Sequence, residues 1–317
     1  MYENFFGLHE RPFDLTSDSR YLFMTSSHRE ALSTLEYGAC ANTGVTLLIG
    51  EAGTGKTTLI RVMLEALDPR RTKAIYLNNP MLTRLELFEF LAKEFHLSPG
   101  IATSKTRLLA ALEHTLLDLR RENVTAALII DEAQVLPHEL LEEIRLLANI
   151  ETSREKLVPI VLAGQPELSD RLNDTSFRQL KQRIGLRCSL RPLDLVETGA
   201  YITSRISIAG GSARTIFTRD AVIAIRDYSE GIPRTISVIC HNALINAFAL
   251  GRRPIPSGII REVCLELDLC KPSGLSRIPH APAPDTIAPQ PAFRYAPRGL
   301  FAELIKTGRR YSFFSQS

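Results

Sequence analysis

From Val45 the chain alternates short, unbroken apolar runs with amphipathic stretches of three- and four-residue spacing. The runs at 45–49, 74–77, 126–130 and 158–163 lack polar alternation, which predicts strands covered on both faces, and a further strand is expected at 186–190. Helical spacing fills the intervals, over 57–67, 84–95, 104–121, 137–150 and 166–173. Strands and helices in alternation predict an α/β fold, a parallel sheet sandwiched by helices.

After Arg191-Pro192-Leu193 the strand pattern stops. Helical patterns over 194–209, 218–229, 233–250 and 256–268, punctuated by Gly210-Gly211, Gly231-Ile232-Pro233 and Gly251, predict a small all-helical domain. Upstream, residues 1–43 carry Tyr2, Phe5, Phe6, Phe13, Tyr21 and Phe23 and a helical pattern over 28–37. The expected division is an N-terminal segment at 1–43 packed on the following core, an α/β domain at 44–192 and a helical domain at 193–270. A proline- and alanine-rich linker at 271–298 and a basic, aromatic tail at 299–317 complete it.

Composition narrows the class. With 44% hydrophobic and 23% charged residues, the 317-residue chain has the make-up of a globular protein. No apolar run approaches the roughly 18–20 residues that cross a bilayer, and the start lacks a charged and then apolar leader. The expected location is cytoplasmic. Five cysteines without a C-x-x-C pair read as reduced thiols. The net charge of +3 sits in the tail: residues 271–317 hold seven basic and two acidic groups, leaving 31 basic against 33 acidic in residues 1–270. A near-neutral body argues against a nucleic-acid footprint.

The chemistry lies where the first strand ends. Gly50-Glu51-Ala52-Gly53-Thr54-Gly55-Lys56-Thr57-Thr58 is G-x-x-x-x-G-K-T between a strand and a helix, the P-loop arrangement. Glycines let backbone N–H groups converge on phosphates, Lys56 adds an ammonium, and Thr57 offers a hydroxyl to Mg²⁺. The following helix turns the positive end of its dipole toward the same point. Roughly 75 residues on, Ala126–Ile130 ends in Asp131-Glu132. That places two carboxylates at a strand end, Asp131 for Mg²⁺ and Glu132 to polarise the attacking water. The implied ligand is a nucleoside triphosphate with Mg²⁺. Gln165, after the next strand, is a candidate to orient the water or sense the γ-phosphate. Arg178 and Arg183, before the last strand, are both candidates to neutralise transition-state charge from a neighbouring subunit. Arg234 follows Gly231-Ile232-Pro233 at a helix start, from which it could reach the phosphates.

Together these segments resemble an AAA+ P-loop ATPase with a helical lid, and more closely the ExeA/GspA family of secretion-associated ATPases. The family-specific part is the opening Tyr2-Glu3-Asn4-Phe5-Phe6-Gly7-Leu8 with Pro12-Phe13, then His28-Arg29-Glu30-Ala31-Leu32. Ile130-Asp131-Glu132-Ala133-Gln134, Gly164-Gln165-Pro166-Glu167-Leu168 and Gln179-Leu180-Lys181-Gln182-Arg183-Ile184 extend the match to about residues 1–268. The resemblance implies that Lys56 and Thr57 are the Walker A pair, and Asp131 and Glu132 the Walker B pair. It places His28 against the adenine, Gln165 at the polar sensor and Arg234 at the second sensor. Arg183 is its preferred trans arginine finger, with Arg178 second. It also implies a homo-oligomer with ATP at subunit interfaces.

Longer members of that family continue into a transmembrane helix and a peptidoglycan-binding domain; residues 271–317 show neither pattern. The expected function is ATP-driven assembly of a secretion or cell-envelope apparatus, including exopolysaccharide export. The expected partner is an inner-membrane protein of that apparatus, with the chain peripheral to the membrane. The alternative is a DNA-associated regulator of transposition, since ATPases of the TniB and TnsC type share this core.

Overall fold

The computed structural model describes residues 1–14, 19–41, 43–153 and 155–269. The expected linker at 271–298, the tail at 299–317 and Cys270 lie outside them.

Five strands form a single parallel sheet: β1 (Val45–Gly50), β2 (Thr72–Leu77), β3 (Thr125–Ile130), β4 (Ile160–Gly164) and β5 (Ile184–Leu190). Their spatial order is β2-β3-β4-β1-β5. β1, β3 and β4 are buried at every position, which is why their sequences are continuous apolar runs. β5 is an edge strand and alternates, with Gly185, Arg187 and Ser189 outward. The run expected to start at 158 enters the ladder only at Ile160. Pro159 has no N–H to contribute, although its carbonyl accepts from Leu128 at 2.9 Å.

Helices α1 (Tyr2–Phe6) and α2 (Ser26–Cys40) precede the sheet. Within it run α3 (Lys56–Ala66), α4 (Arg84–Glu94), α5 (Lys105–Arg121), α6 (His138–Leu147), α7 (Pro166–Asn173) and α8 (Arg178–Lys181). Local chemistry sets their ends. Thr83 and Glu86 close a reciprocal capping box on α4, and Pro166 takes the first turn of α7 where no N–H is needed. α2 lies across β1, β4 and β5. Gly38 lets it approach, because a Cβ there would stand 2.1 Å from Thr46 Oγ1.

The lid contains α9 (Leu195–Ile208), α10 (Ala213–Ile216), α11 (Arg219–Ser229), α12 (Pro233–Ala249) and α13 (Ser257–Glu266). Asp194 and Glu197 box the start of α9, and Pro233 occupies the first turn of α12. The N-terminal segment departs from expectation. Tyr2, Phe6, Leu8 and Phe13 are buried among Ile202, Ile206, Phe217 and Ile236 of the lid, whereas α2 packs on the sheet. Arg205 of α9 fastens this arm by donating to the carbonyl of Pro12 at 2.9 Å. The reason is apolar demand: a five-helix lid leaves a face that the aromatic arm covers.

Among the described residues Cys40, Cys188, Cys240 and Cys264 are free thiols, and no helix is long and apolar enough to cross a membrane.

Candidate nucleotide-binding site

Parallel strands bring their C-terminal ends to one edge of the sheet, and the candidate residues gather there. β1 ends at Gly50, and the loop 51–55 returns the chain into α3 at Lys56. Gly53 and Gly55 hold φ of +81° and +103°, a region open to glycine at no steric cost. Lys56 is 4% exposed, and its Nζ donates to the carbonyls of Gly50 at 2.7 Å and Glu51 at 3.1 Å. Burial lowers its pKa, while the carboxylates of Glu132, Asp131, Glu51 and Glu167 oppose that shift.

Asp131, the residue after β3, is 2% exposed. Thr57 Oγ1 donates to its Oδ2 at 2.6 Å, and the Tyr76 hydroxyl donates to the same oxygen at 3.3 Å. Oδ1 accepts from the Glu132 N–H at 2.9 Å. Burial, and then the Asp131 charge, push the Tyr76 phenol up to about 12, so it stays a donor at neutral pH. No cluster of three or more His, Cys, Asp or Glu side chains able to hold a metal occurs among the described residues. A hydroxyl beside a carboxylate fits a different case, Mg²⁺, which takes one or two protein oxygens and completes its shell with water and phosphate.

Glu132 has φ +52° and ψ +36°, left-handed for a residue with a side chain. It lines a cavity of ≈ 370 Å³ together with Gly53, Thr54, Gly55, Lys56, Thr57, Thr58 and His28 from the core and Pro233, Arg234 and Ser237 from the lid. The lid reaches the loop by direct contact: the Arg234 N–H donates to Gly53 O at 3.3 Å. A Cβ on Gly53 would lie 2.8 Å from Arg234 Cβ, so glycine permits this approach as well as the turn.

His28 lines the cavity, yet its ring also props the loop. Nε2 stands 3.2 Å from Thr54 O and Nδ1 2.7 Å from Thr25 Oγ1. A carbonyl only accepts, so Nε2 carries the proton and Nδ1 accepts from the threonine hydroxyl. Burial lowers the pKa of the ring. An aromatic half of the cavity escaped the sequence reading as a site. Tyr21, Phe23 and Tyr201 line it, with the Arg205 guanidinium 4.9 Å from the Tyr21 ring centre and 5.3 Å from that of Tyr201. Its signal was the aromatic N-terminal segment, noticed for its apolarity alone.

Three of the named residues stand elsewhere. Gln165 does not line the cavity; its backbone N–H donates to the side-chain oxygen of Gln134 at 3.1 Å, and it is Gln134 whose amide donates to Glu132. Arg183 precedes β5. Because Ile184 pairs with Val45 and Leu190 with Gly50, it sits at the opposite end of the sheet from its own P-loop. Six strand residues at ~3.3 Å each make that about 20 Å. There Arg183 pairs with Glu151 at 3.9 Å. Arg178 begins α8, exposed and outside the cavity.

Residues 40–172 match the AAA domain family AAA_22. Over 276 residues, 86% of the chain, the sequence is 41% identical to General secretion pathway protein A of Aeromonas hydrophila. The chain carries an AAA domain and resembles the ExeA/GspA-like AAA+ family. It spans about half (50%) of that relative's length.

Solved structures similar to this ExeA/GspA-like chain share its fold at low identity. Cdc6p from Pyrobaculum aerophilum is 19% identical with a TM-score of 0.59, over 80% of this chain and 70% of that one. The Aeropyrum pernix ORC2 protein, in ADPNP-ADP complexes, is 18% identical with a TM-score of 0.55, over 81% and 71%. Drosophila ORC bound to DNA is 18% identical with a TM-score of 0.60, over 82% and 65%. The fold is thus that of P-loop AAA+ proteins.

Proposed function

We propose that this chain binds ATP with Mg²⁺ and hydrolyses it, and that hydrolysis drives assembly of a secretion or cell-envelope apparatus at the inner membrane. The carrying observation is that Lys56, Thr57 and Glu132 line one cavity, with Asp131 bonded to Thr57 beside it and Arg234 reaching the cavity from the lid. Phosphates would lie against the loop N–H groups and the start of α3, with Lys56 neutralising them. Thr57 and Asp131 would hold Mg²⁺, which lowers the charge on the phosphates. Glu132 would accept a proton from the attacking water. The Tyr21, Phe23 and Tyr201 side of the cavity suits a flat purine.

Arg183 is too far from its own cavity to act there, which supports a trans role and an oligomer with ATP between subunits. The kinship to General secretion pathway protein A supports the secretion setting. A DNA-linked role finds less support, since residues 1–270 carry 31 basic against 33 acidic groups.

The test compares wild type, Lys56→Ala and Glu132→Gln for binding of a fluorescent ATP analogue and for phosphate release. Wild type should hydrolyse, Lys56→Ala should lose binding, and Glu132→Gln should bind like wild type while losing turnover by about 10²–10⁴-fold. A Glu132→Gln protein with wild-type turnover would sink the assignment.

A further inference from the structure

The Gln134 side chain lies between two groups of fixed polarity. The Glu132 carboxylate can only accept, and the Gln165 backbone N–H can only donate. Gln134 satisfies both, its Nε2 donating to Glu132 Oε2 and its Oε1 accepting from Gln165 N at 3.1 Å. One orientation of the amide fits, and the flipped one would set N–H against N–H and oxygen against carboxylate. The surroundings are built to keep it there. A Cβ at Gly164 would come within 2.9 Å of Gln134 Oε1, so the missing side chain makes the room. Arg171 of α7 donates from Nη1 to the carbonyl of Gln134 and from Nη2 to that of Leu136 at 2.7 Å, pinning the loop from the other side.

We infer that Gln134 is the positioning residue of the hydrolytic site: it anchors one oxygen of Glu132 and so leaves the other aimed into the cavity. The inference rests on the proposed role of Glu132 as the acceptor of the water's proton. A carboxylate on a free side chain samples several rotamers, and only some place an oxygen beside the attacking water. The backbone at Glu132 is held left-handed, so the side-chain bond completes a fixation that the main chain begins. The anchor depends on β4 and α7, because its second bond goes to the residue joining them and its loop is gripped by Arg171. Gln165 therefore serves through its main chain, and the amide that the sequence reading sought there is supplied by Gln134.

The experiment compares full-length wild type with Gln134→Met, which keeps the length and loses both bonds, and Gln134→Glu, which keeps the shape and sets a second carboxylate against Glu132. Nucleotide affinity, KM and kcat are measured on each, with thermal unfolding as a check on folding. Gln134→Met should lower kcat about 10–100-fold, the range seen when a group orienting a first-contact ligand is removed. Its KM and nucleotide affinity should stay within about twofold of wild type, a split that a general loss of structure would not produce. Gln134→Glu should be at least as slow. Wild-type kcat in Gln134→Met, with Glu132→Gln inactive beside it, would overturn the positioning role and leave the ATPase reading standing. Equal losses in kcat and in affinity would overturn it too, marking Gln134 as structural. A wild-type protein without turnover would instead overturn the ATPase reading, and this inference with it.

Discussion

At Gly53 one residue meets two demands. Its φ of +81° favours glycine, and the Arg234 Cβ stands 2.8 Å from where a Cβ would go. Gly53→Ala combines a left-handed cost of about 1–2 kcal/mol with a clash that pushes the lid away. The variant should stay folded and bind the ATP analogue at least about tenfold more weakly, since each 1.4 kcal/mol is a factor of ten; titration by fluorescence anisotropy checks this. His28 carries a pH prediction. Burial depresses its folded-state pKa below the ordinary value, so around and below about pH 6.5 the unfolded chain binds more protons than the folded one. Its contribution is present above the unfolded pKa and is lost as pH falls through about 6.5 toward the folded value. The melting temperature should drop between pH 7.5 and 5.5, and His28→Gln, which keeps a donor for Thr54 O, should show a smaller drop. Equal drops in the two proteins would count against this role.

Among the elements, β1, β3 and β4 were legible because complete burial writes itself as unbroken apolar sequence, as in Ala126–Ile130. The longer helices were legible from spacing and from punctuation such as Gly231-Ile232-Pro233. α1, α8 and α10, of four or five residues, are too short to show a period, and they passed unseen. The docking of the arm on the lid was not legible either. Aromatics at Tyr2, Phe6 and Phe13 announce burial without naming the surface that buries them. Similarly, a glutamine after β4 marks a strand end at the cavity's edge. Which of two nearby amides turns toward Glu132 depends on Gly164 and Arg171, from other parts of the chain. The arm's role as part of the lid is testable. Phe13 is 1% exposed and meets Phe217 edge-on at 6.5 Å. Phe13→Ala should cost about 3–5 kcal/mol in urea unfolding and weaken nucleotide binding through a loosened lid. A loss below about 1 kcal/mol would show that the arm is not part of that core.

For the whole molecule, the parallel sheet decides what a single subunit lacks. Its C-terminal edge carries the loop, Asp131 and Glu132; its N-terminal edge, about six strand residues away, carries Arg183 paired with Glu151. An arginine so placed serves a neighbour or serves no phosphate at all. The proposed oligomer depends on that separation. Subunit mixing reads it most directly, by measuring ATP turnover of Arg183→Ala, of Glu132→Gln and of the two combined in equal amounts. Each variant alone should be nearly inactive. The mixture should regain turnover, because Arg183 from a Glu132→Gln subunit then faces an intact Glu132 in its neighbour. Wild-type turnover by Arg183→Ala alone, or a mixture no faster than its parents, would contradict the shared site.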